Sequence, residues 1–181
     1  MKIKSICVFC GASKGNNSAY LNSARTLGIE LATRQIRLIY GGGGSGLMGC
    51  LANSVIKSGG KVTGVIPHYL KNRELENRNL TKLEVVSDMH ERKKRMFDLA
   101  DGIVVLPGGI GTLEETFEVI TWKQLGMHKK PIIIVNILGY WRKLDALVEN
   151  TINTGFAGNQ TLTLYQKVDK PEEVVPALEN L

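Results

Sequence analysis

The segment Val104-Val-Leu-Pro-Gly-Gly-Ile-Gly-Thr-Leu-Glu-Glu115 runs from an apolar stretch through a glycine-rich turn into a helical pattern. Strand, glycine turn and helix in that order form the repeating unit of a parallel α/β sheet. The same order leaves a nest of backbone N–H groups at a helix N-terminus, where anions are attracted. The stretch also poses an electrostatic problem. Glu114 and Glu115 fall in the first turn of a helix expected over 112–125, where a phosphate drawn to the nest would meet two carboxylates.

The same unit recurs along the chain. Apolar runs at 3–10, 37–40, 61–66, 83–86, 102–106 and 132–136 read as strands, several of them near-continuous Ile, Val and Leu. Such runs belong to strands buried on both faces. Helical periodicity fills 18–34, 46–58, 89–100, 112–125 and 140–153, with a terminal helix near 171–180. Pro171 at a first helical turn and Gly59-Gly60 after a helix are consistent punctuation. Alternating strands and helices predict an α/β fold, a doubly wound Rossmann-like parallel sheet with helices on both faces, as one domain over 1–181. Only residues 67–81 break the alternation, reading as a long polar loop.

Bulk properties narrow the function. The chain has 181 residues, 43% hydrophobic and 22% charged, as in ordinary globular domains. No apolar run reaches the ~18 residues of a membrane span, and the N-terminal run is shorter than the ~7–15 residues of a signal core. A cytoplasmic protein with no membrane partner is expected. The net charge of +6 is spread along the chain, and aromatics make up 6% without alternating with basic residues. Small phosphorylated anions explain that charge without invoking nucleic acid.

Three expected strands end in glycine-rich turns: Cys10-Gly-Ala-Ser-Lys-Gly15, Gly41-Gly-Gly-Gly-Ser-Gly-Leu-Met-Gly49 and Pro107-Gly-Gly-Ile-Gly-Thr112. A parallel sheet puts all three at its carboxyl edge, where ligands bind. Ser13, Gly43, Gly44, Gly108, Gly109, Ile110, Gly111 and Thr112 are the candidate binding positions, with Thr112 also able to cap its helix. Gly41, Gly43 and Gly46 fit G-x-G-x-x-G, but after the second strand, and no acidic residue ends the third strand to hold a ribose of NAD. A Walker A motif is absent. A nucleoside monophosphate fits better than a dinucleotide or a triphosphate.

On helix 89–100, Met89, Arg92, Lys93, Met96 and Ala100 share one side, so two cations interrupt an apolar stripe. Either they snorkel to solvent or they face an anion, with a ligand phosphate or Glu115 as candidates. On the next helix, Glu114 and Glu115 point about 100° apart. Glu115 lies with Val119 and Trp122, the inward side; Glu114 lies with Glu118 and Thr121 and is assigned to the helix dipole. His68, His90 and His128 have no metal-ligand spacing, and no metal is expected. Cys7 and Cys10 sit three apart on a strand, which turns them to opposite faces as buried thiols rather than a redox pair.

Pro107-Gly-Gly-Ile-Gly-Thr-Leu-Glu-Glu115 resembles the P-G-G-x-G-T-x-x-E signature of the LONELY GUY family, cytokinin riboside 5′-monophosphate phosphoribohydrolases long mislabelled as lysine decarboxylases. The resemblance extends through Val8–Ser13, Tyr40–Gly49, Met89-His-Glu-Arg-Lys93, Thr121-Trp-Lys-Gln-Leu-Gly126 and Lys130-Pro131. It implies a Rossmann-like homodimer that cleaves the N-glycosidic bond of an adenosine 5′-monophosphate, plain or N6-modified, with no cofactor. By position, it implies Arg92 and Glu115 as the catalytic pair and Lys93 as their basic neighbour. It assigns Gly109, Gly111 and Thr112 to the phosphate cradle and Glu74, within Arg73-Glu74, to substrate contact. A decarboxylase would need a pyridoxal-bearing lysine with an acidic partner for the ring nitrogen, which nothing in the sequence specifies. The competing reading is a non-catalytic nucleotide-binding module of related fold.

Overall fold

A computed structural model describes residues 3–70 and 80–180. Seven parallel strands form one sheet in the order β4-β3-β2-β1-β5-β6-β7. They are β1 (Ser5–Phe9), β2 (Arg37–Tyr40), β3 (Val62–Pro67), β4 (Lys82–Val86), β5 (Gly102–Val105), β6 (Ile132–Val135) and β7 (Gln166–Val168). The helices are α1 (Ser18–Thr33), α2 (Gly46–Lys57), α3 (Met89–Leu99), α4 (Ile110–Gln124), α5 (Arg142–Asn153) and α6 (Val174–Glu179). The fold is α/β and Rossmann-like, as the alternation predicts.

Period-two alternation sorts each strand between two layers. Ile6, Val8, Leu38, Tyr40, Ile133 and Val135 pack with α1, α2 and α6. Cys7, Phe9, Ile39, Ile132, Ile134 and Val105 pack on the other side with α3, α4 and α5. Cys7 and Cys10 are buried in opposite layers as free thiols. The chain winds from β1 outward to β4, then returns to the other side of β1 with β5. That reversal puts the turns after β2, β1 and β5 side by side at the switch point, where doubly wound sheets open a crevice.

Several elements differ from expectation. Strand β7 is unforeseen because Gln166-Lys-Val168 is a short edge segment with one buried residue and so no apolar run. The terminal helix begins as a 3-10 turn over Pro171–Glu173 before α6. Helix α4 starts at Ile110 rather than residue 112, because extended Gly109 ends the turn two residues earlier.

At the other edge, Arg95 on α3 grips Glu84 of β4 through Nε (2.6 Å) and a second nitrogen (3.2 Å), while Lys82 approaches at 2.8 Å. Hydrogen bonds from Arg95, then Lys82, lower the Glu84 carboxyl from 4.5 to about 2. A depressed folded pKa contributes stability that is fully present above the unfolded value and lost as pH falls through the folded one. Acid titration of Glu84→Gln should therefore lack one part of the wild-type stability loss between pH 4.5 and about 2. Equal acid limbs for the two proteins would remove Glu84 from the account.

Candidate active site

The three glycine turns are bonded into one unit. Gly11 N–H donates to Pro107 O at 3.0 Å and Leu106 N–H to Phe9 O at 2.9 Å, joining the β1 and β5 turns. Leu47 N–H donates to Gly11 O at 3.0 Å and Ser45 Oγ to Ala12 O at 3.1 Å, joining the β2 turn to the β1 turn. Gly46 has φ +59°, and a Cβ there would overlap Ala12. Gly46 of the β2 turn thus serves packing between turns, and Gly43 and Gly44 lie off the lining of the cavity beside the unit. That cavity measures about 630 Å³.

The β5 turn is built differently. Gly108 is needed for packing, since a Cβ there would overlap the Thr112 hydroxyl. Gly109 and Gly111 have ordinary backbone angles, and a Cβ on either would meet nothing within 4 Å. The fold itself places no demand for glycine at these two positions. Both line the cavity, and both belong to the start of α4, whose first N–H groups have no acceptor within the helix. Glycine there leaves room for an anion to approach the amides closely. Thr112 is buried and lines the cavity, but it does not cap α4; Gly109 is the cap. Ser13 also lines the cavity, whereas Ile110 is 81% exposed and turned away from it.

Arg92 and Glu115 both line this cavity. Arg92 is 5% exposed, and its Nε donates to Val65 O at 3.1 Å and a terminal nitrogen to Gly41 O at 2.8 Å. Carbonyls at the ends of β2 and β3 thus fix the guanidinium. A Cβ on Gly41 would overlap that guanidinium, so this glycine makes room for Arg92. Glu115 is half-buried. It faces the end of β1, where its charge adds to burial in raising the thiols of Cys7 and Cys10. The sequence reading of Arg92 and Glu115 as inward residues matches their placement.

Lys93 departs from that reading. It is buried but absent from the cavity lining, and its ammonium sits between Glu114 and Glu118, at 3.0 Å from the latter. Burial pulls its pKa down, but the hydrogen bonds it donates to Glu114 and Glu118 outweigh burial and hold it above the ordinary lysine value. Glu114 therefore pairs with Lys93 rather than serving the helix dipole. The earlier start of α4 moves both carboxylates beyond the first turn, where the dipole has faded. The ion pair ties α3 to α4 at the level of the neighbouring residues Arg92 and Glu115. Glu74 lies outside the described residues.

Two aromatic residues join the site without a sequence signal. Tyr20 of α1 and Tyr140, before α5, line the cavity and meet edge to face at 5.8 Å. Of the neighbours Tyr140 and Trp141 only Trp141 is buried, at 2% exposed, while Tyr140 is 41% exposed. Leu138 at φ +54° and Gly139 at φ +72° turn the chain just before them. A left-handed leucine costs roughly 1–2 kcal/mol, a strain of the kind found where a turn must aim a functional side chain. Met89 and Met96 supply apolar wall. Among the described residues no group of His, Cys, Asp and Glu is arranged to hold a metal ion. His128 is half-buried with Nε2 2.9 Å from Val119 O; burial, chiefly, lowers its pKa.

A family model described as "possible lysine decarboxylase" matches residues 48–178. Cytokinin riboside 5′-monophosphate phosphoribohydrolase LOG1 of Arabidopsis thaliana is 42% identical over 179 residues, 99% of this chain and 84% of that protein. LOG4 of the same plant is 43% identical over 178 residues, 98% of this chain and 83% of its own. Among solved structures, a structural-genomics target, TM1055, superposes with TM-score 0.74 at 25% identity, covering 98% of this chain and 99% of that one. The molybdenum cofactor carrier protein of Chlamydomonas reinhardtii superposes with TM-score 0.73 at 17% identity, covering 99% and 98%, a likeness of fold alone.

Proposed function

The chain belongs to the family of the cytokinin riboside 5′-monophosphate phosphoribohydrolases, and from that membership we propose that it hydrolyses an adenosine 5′-monophosphate, plain or N6-modified, to free base and ribose 5-phosphate. The relatives' names and the description of the family model differ on activity. The relatives align with nearly the whole chain, and the description is itself given only as possible. One observation carries the reading: a buried cation, Arg92, and a carboxylate, Glu115, line one cavity with a glycine-opened helix N-terminus.

The chemistry assigns a task to each group. The phosphate is held by the first-turn N–H groups of α4 around Gly109, Gly111 and Thr112, with Ser13 across the cavity. The base packs on the methionine-rich wall of Met89 and Met96. The C1′–N bond breaks through an oxocarbenium-like state, water adds to C1′, and the base leaves with a proton. Glu115 stabilises the cationic sugar and accepts the proton of the attacking water. Arg92 orients Glu115 and the nucleotide. Lys93 supports the pair through Glu114 and Glu118 instead of binding substrate. Glu74 is assigned to substrate contact.

We assign a homodimer to this chain on the exposed apolar residues Ile110, Leu125 and Met127 along and just beyond α4. Among the described residues no helix is long and apolar enough to cross a membrane, which fits the cytoplasmic placement expected from sequence. The test is a product assay. Purified protein with AMP or its N6-prenylated analogue should release free base and ribose 5-phosphate in equal amounts. Nucleotide bound but never cleaved would establish the binding-module alternative.

A further inference from the structure

The cavity contains a contact that the hydrolysis reading does not use. Tyr140 Oη donates to Gly108 O at 2.5 Å. Gly108 O belongs to the peptide whose amide is Gly109 N–H, and in a trans peptide the C=O and N–H point in opposite directions. Fixing the carbonyl therefore fixes the amide. Glycines on both sides make this peptide unusually free to flip: reversal would carry Gly109 from φ −89° to a positive φ, which glycine accepts at little cost.

We propose that Tyr140 is a positioning residue for anion binding, whose hydroxyl locks the Gly108–Gly109 peptide so that the Gly109 amide is presented as a donor at the head of α4. The inference rests on the phosphate-cradle reading of that helix end. In the flipped peptide the carbonyl replaces the amide, and a phosphate meets an acceptor where it needs a donor. The turn that delivers Tyr140 is shaped for the purpose. Two consecutive left-handed residues, Leu138 and Gly139, separate β6 from Tyr140 and send it to the cavity while Trp141 enters the core. Asn136 Oδ1, accepting from Trp141 N–H at 2.9 Å, pins the far side of the same turn. The edge contact with Tyr20 restrains the ring. Among the described residues no other hydrogen bond reaches Gly108 O.

The test is Tyr140→Phe, which keeps the ring and its contact with Tyr20 but removes the donor. Loss of one hydrogen bond predicts about a tenfold rise in KM for AMP, with kcat changed less than about twofold. Affinity for adenosine, which lacks the phosphate, should be unaltered. A KM for AMP equal to wild type, or equal losses for AMP and adenosine, would overturn the assignment. A second measurement needs no ligand. In ¹⁵N spectra of the free protein the Gly109 amide, identified by its loss in Gly109→Ala, should be sharp in wild type and doubled or exchange-broadened in Tyr140→Phe. An equally sharp signal in both proteins refutes the lock. This reading stays decisive if the wild-type protein proves not to hydrolyse AMP, a result that would count against the proposed function alone.

Discussion

Glu115→Gln should abolish base release while leaving nucleotide binding almost intact. The substitution keeps shape and removes charge, so the half-buried position beside β1 is filled as before. On the proposed mechanism the variant loses the negative charge that faces the developing sugar cation and the group that takes a proton from water. General-base assistance contributes typically 10²–10⁴-fold, so kcat should fall by about that factor, measured as free base formed from AMP. Affinity for AMP, measured by calorimetry on the variant, should stay within about threefold, because the proposed phosphate contacts lie at the head of α4 and not on Glu115. A variant that still turns over within a factor of about ten of wild type would move the chemistry to another residue.

Arg92 explains why that carboxylate can be effective. Two backbone carbonyls, Val65 O and Gly41 O, hold the guanidinium before any substrate arrives. A cation fixed in advance pays no reorganisation in the transition state. Lys93, one residue on, fastens α3 to α4 through Glu114 and Glu118. Adjacent residues of α3 thus differ in what they meet: Arg92 lines the cavity, and Lys93 ties α3 to α4.

Much of this was legible in the chain because it depends on local period. The run Ile132–Val135 supplies both layers by simple alternation, so its burial on both faces can be read without a structure. Arg92 stood out as a cation in an apolar helical stripe, and Glu115 by its direction relative to Glu114. The features that sequence did not reveal depend on contacts between distant segments. Lys93 shares the stripe with Arg92, and only the position of α4 decides that its ammonium meets two glutamates. Tyr140 is adjacent to a core tryptophan and reads like one; a left-handed leucine, which no propensity anticipates, separates their fates. The length of α4 was misjudged because threonine is the better cap by preference, while the extended backbone at Gly109 ended the turn first.

The same distinction between local and distant demands yields the second large effect. Gly111→Ala should produce a protein that is more stable and nearly inactive. Gly111 lies inside the first turn of α4 with ordinary backbone angles, and a Cβ there meets nothing within 4 Å. Alanine in a helix is favoured over glycine by roughly 0.5–1 kcal/mol, which in a chain of this size raises Tm by about 2–4 °C per kcal/mol. On the proposed phosphate cradle, however, the added methyl group would occupy the space that the glycine keeps open for the anion. Displacing the ligand by even 1 Å costs about 10²-fold, so kcat/KM for AMP should fall by that order. Gly108→Ala, by contrast, drives a methyl group into the Thr112 hydroxyl and should lose stability and activity together. Melting curves and AMP kinetics on the two variants separate a glycine kept for the fold from one kept for the ligand. Unchanged kinetics in Gly111→Ala would mean that no anion sits at this helix end, whatever the rest of the cavity binds.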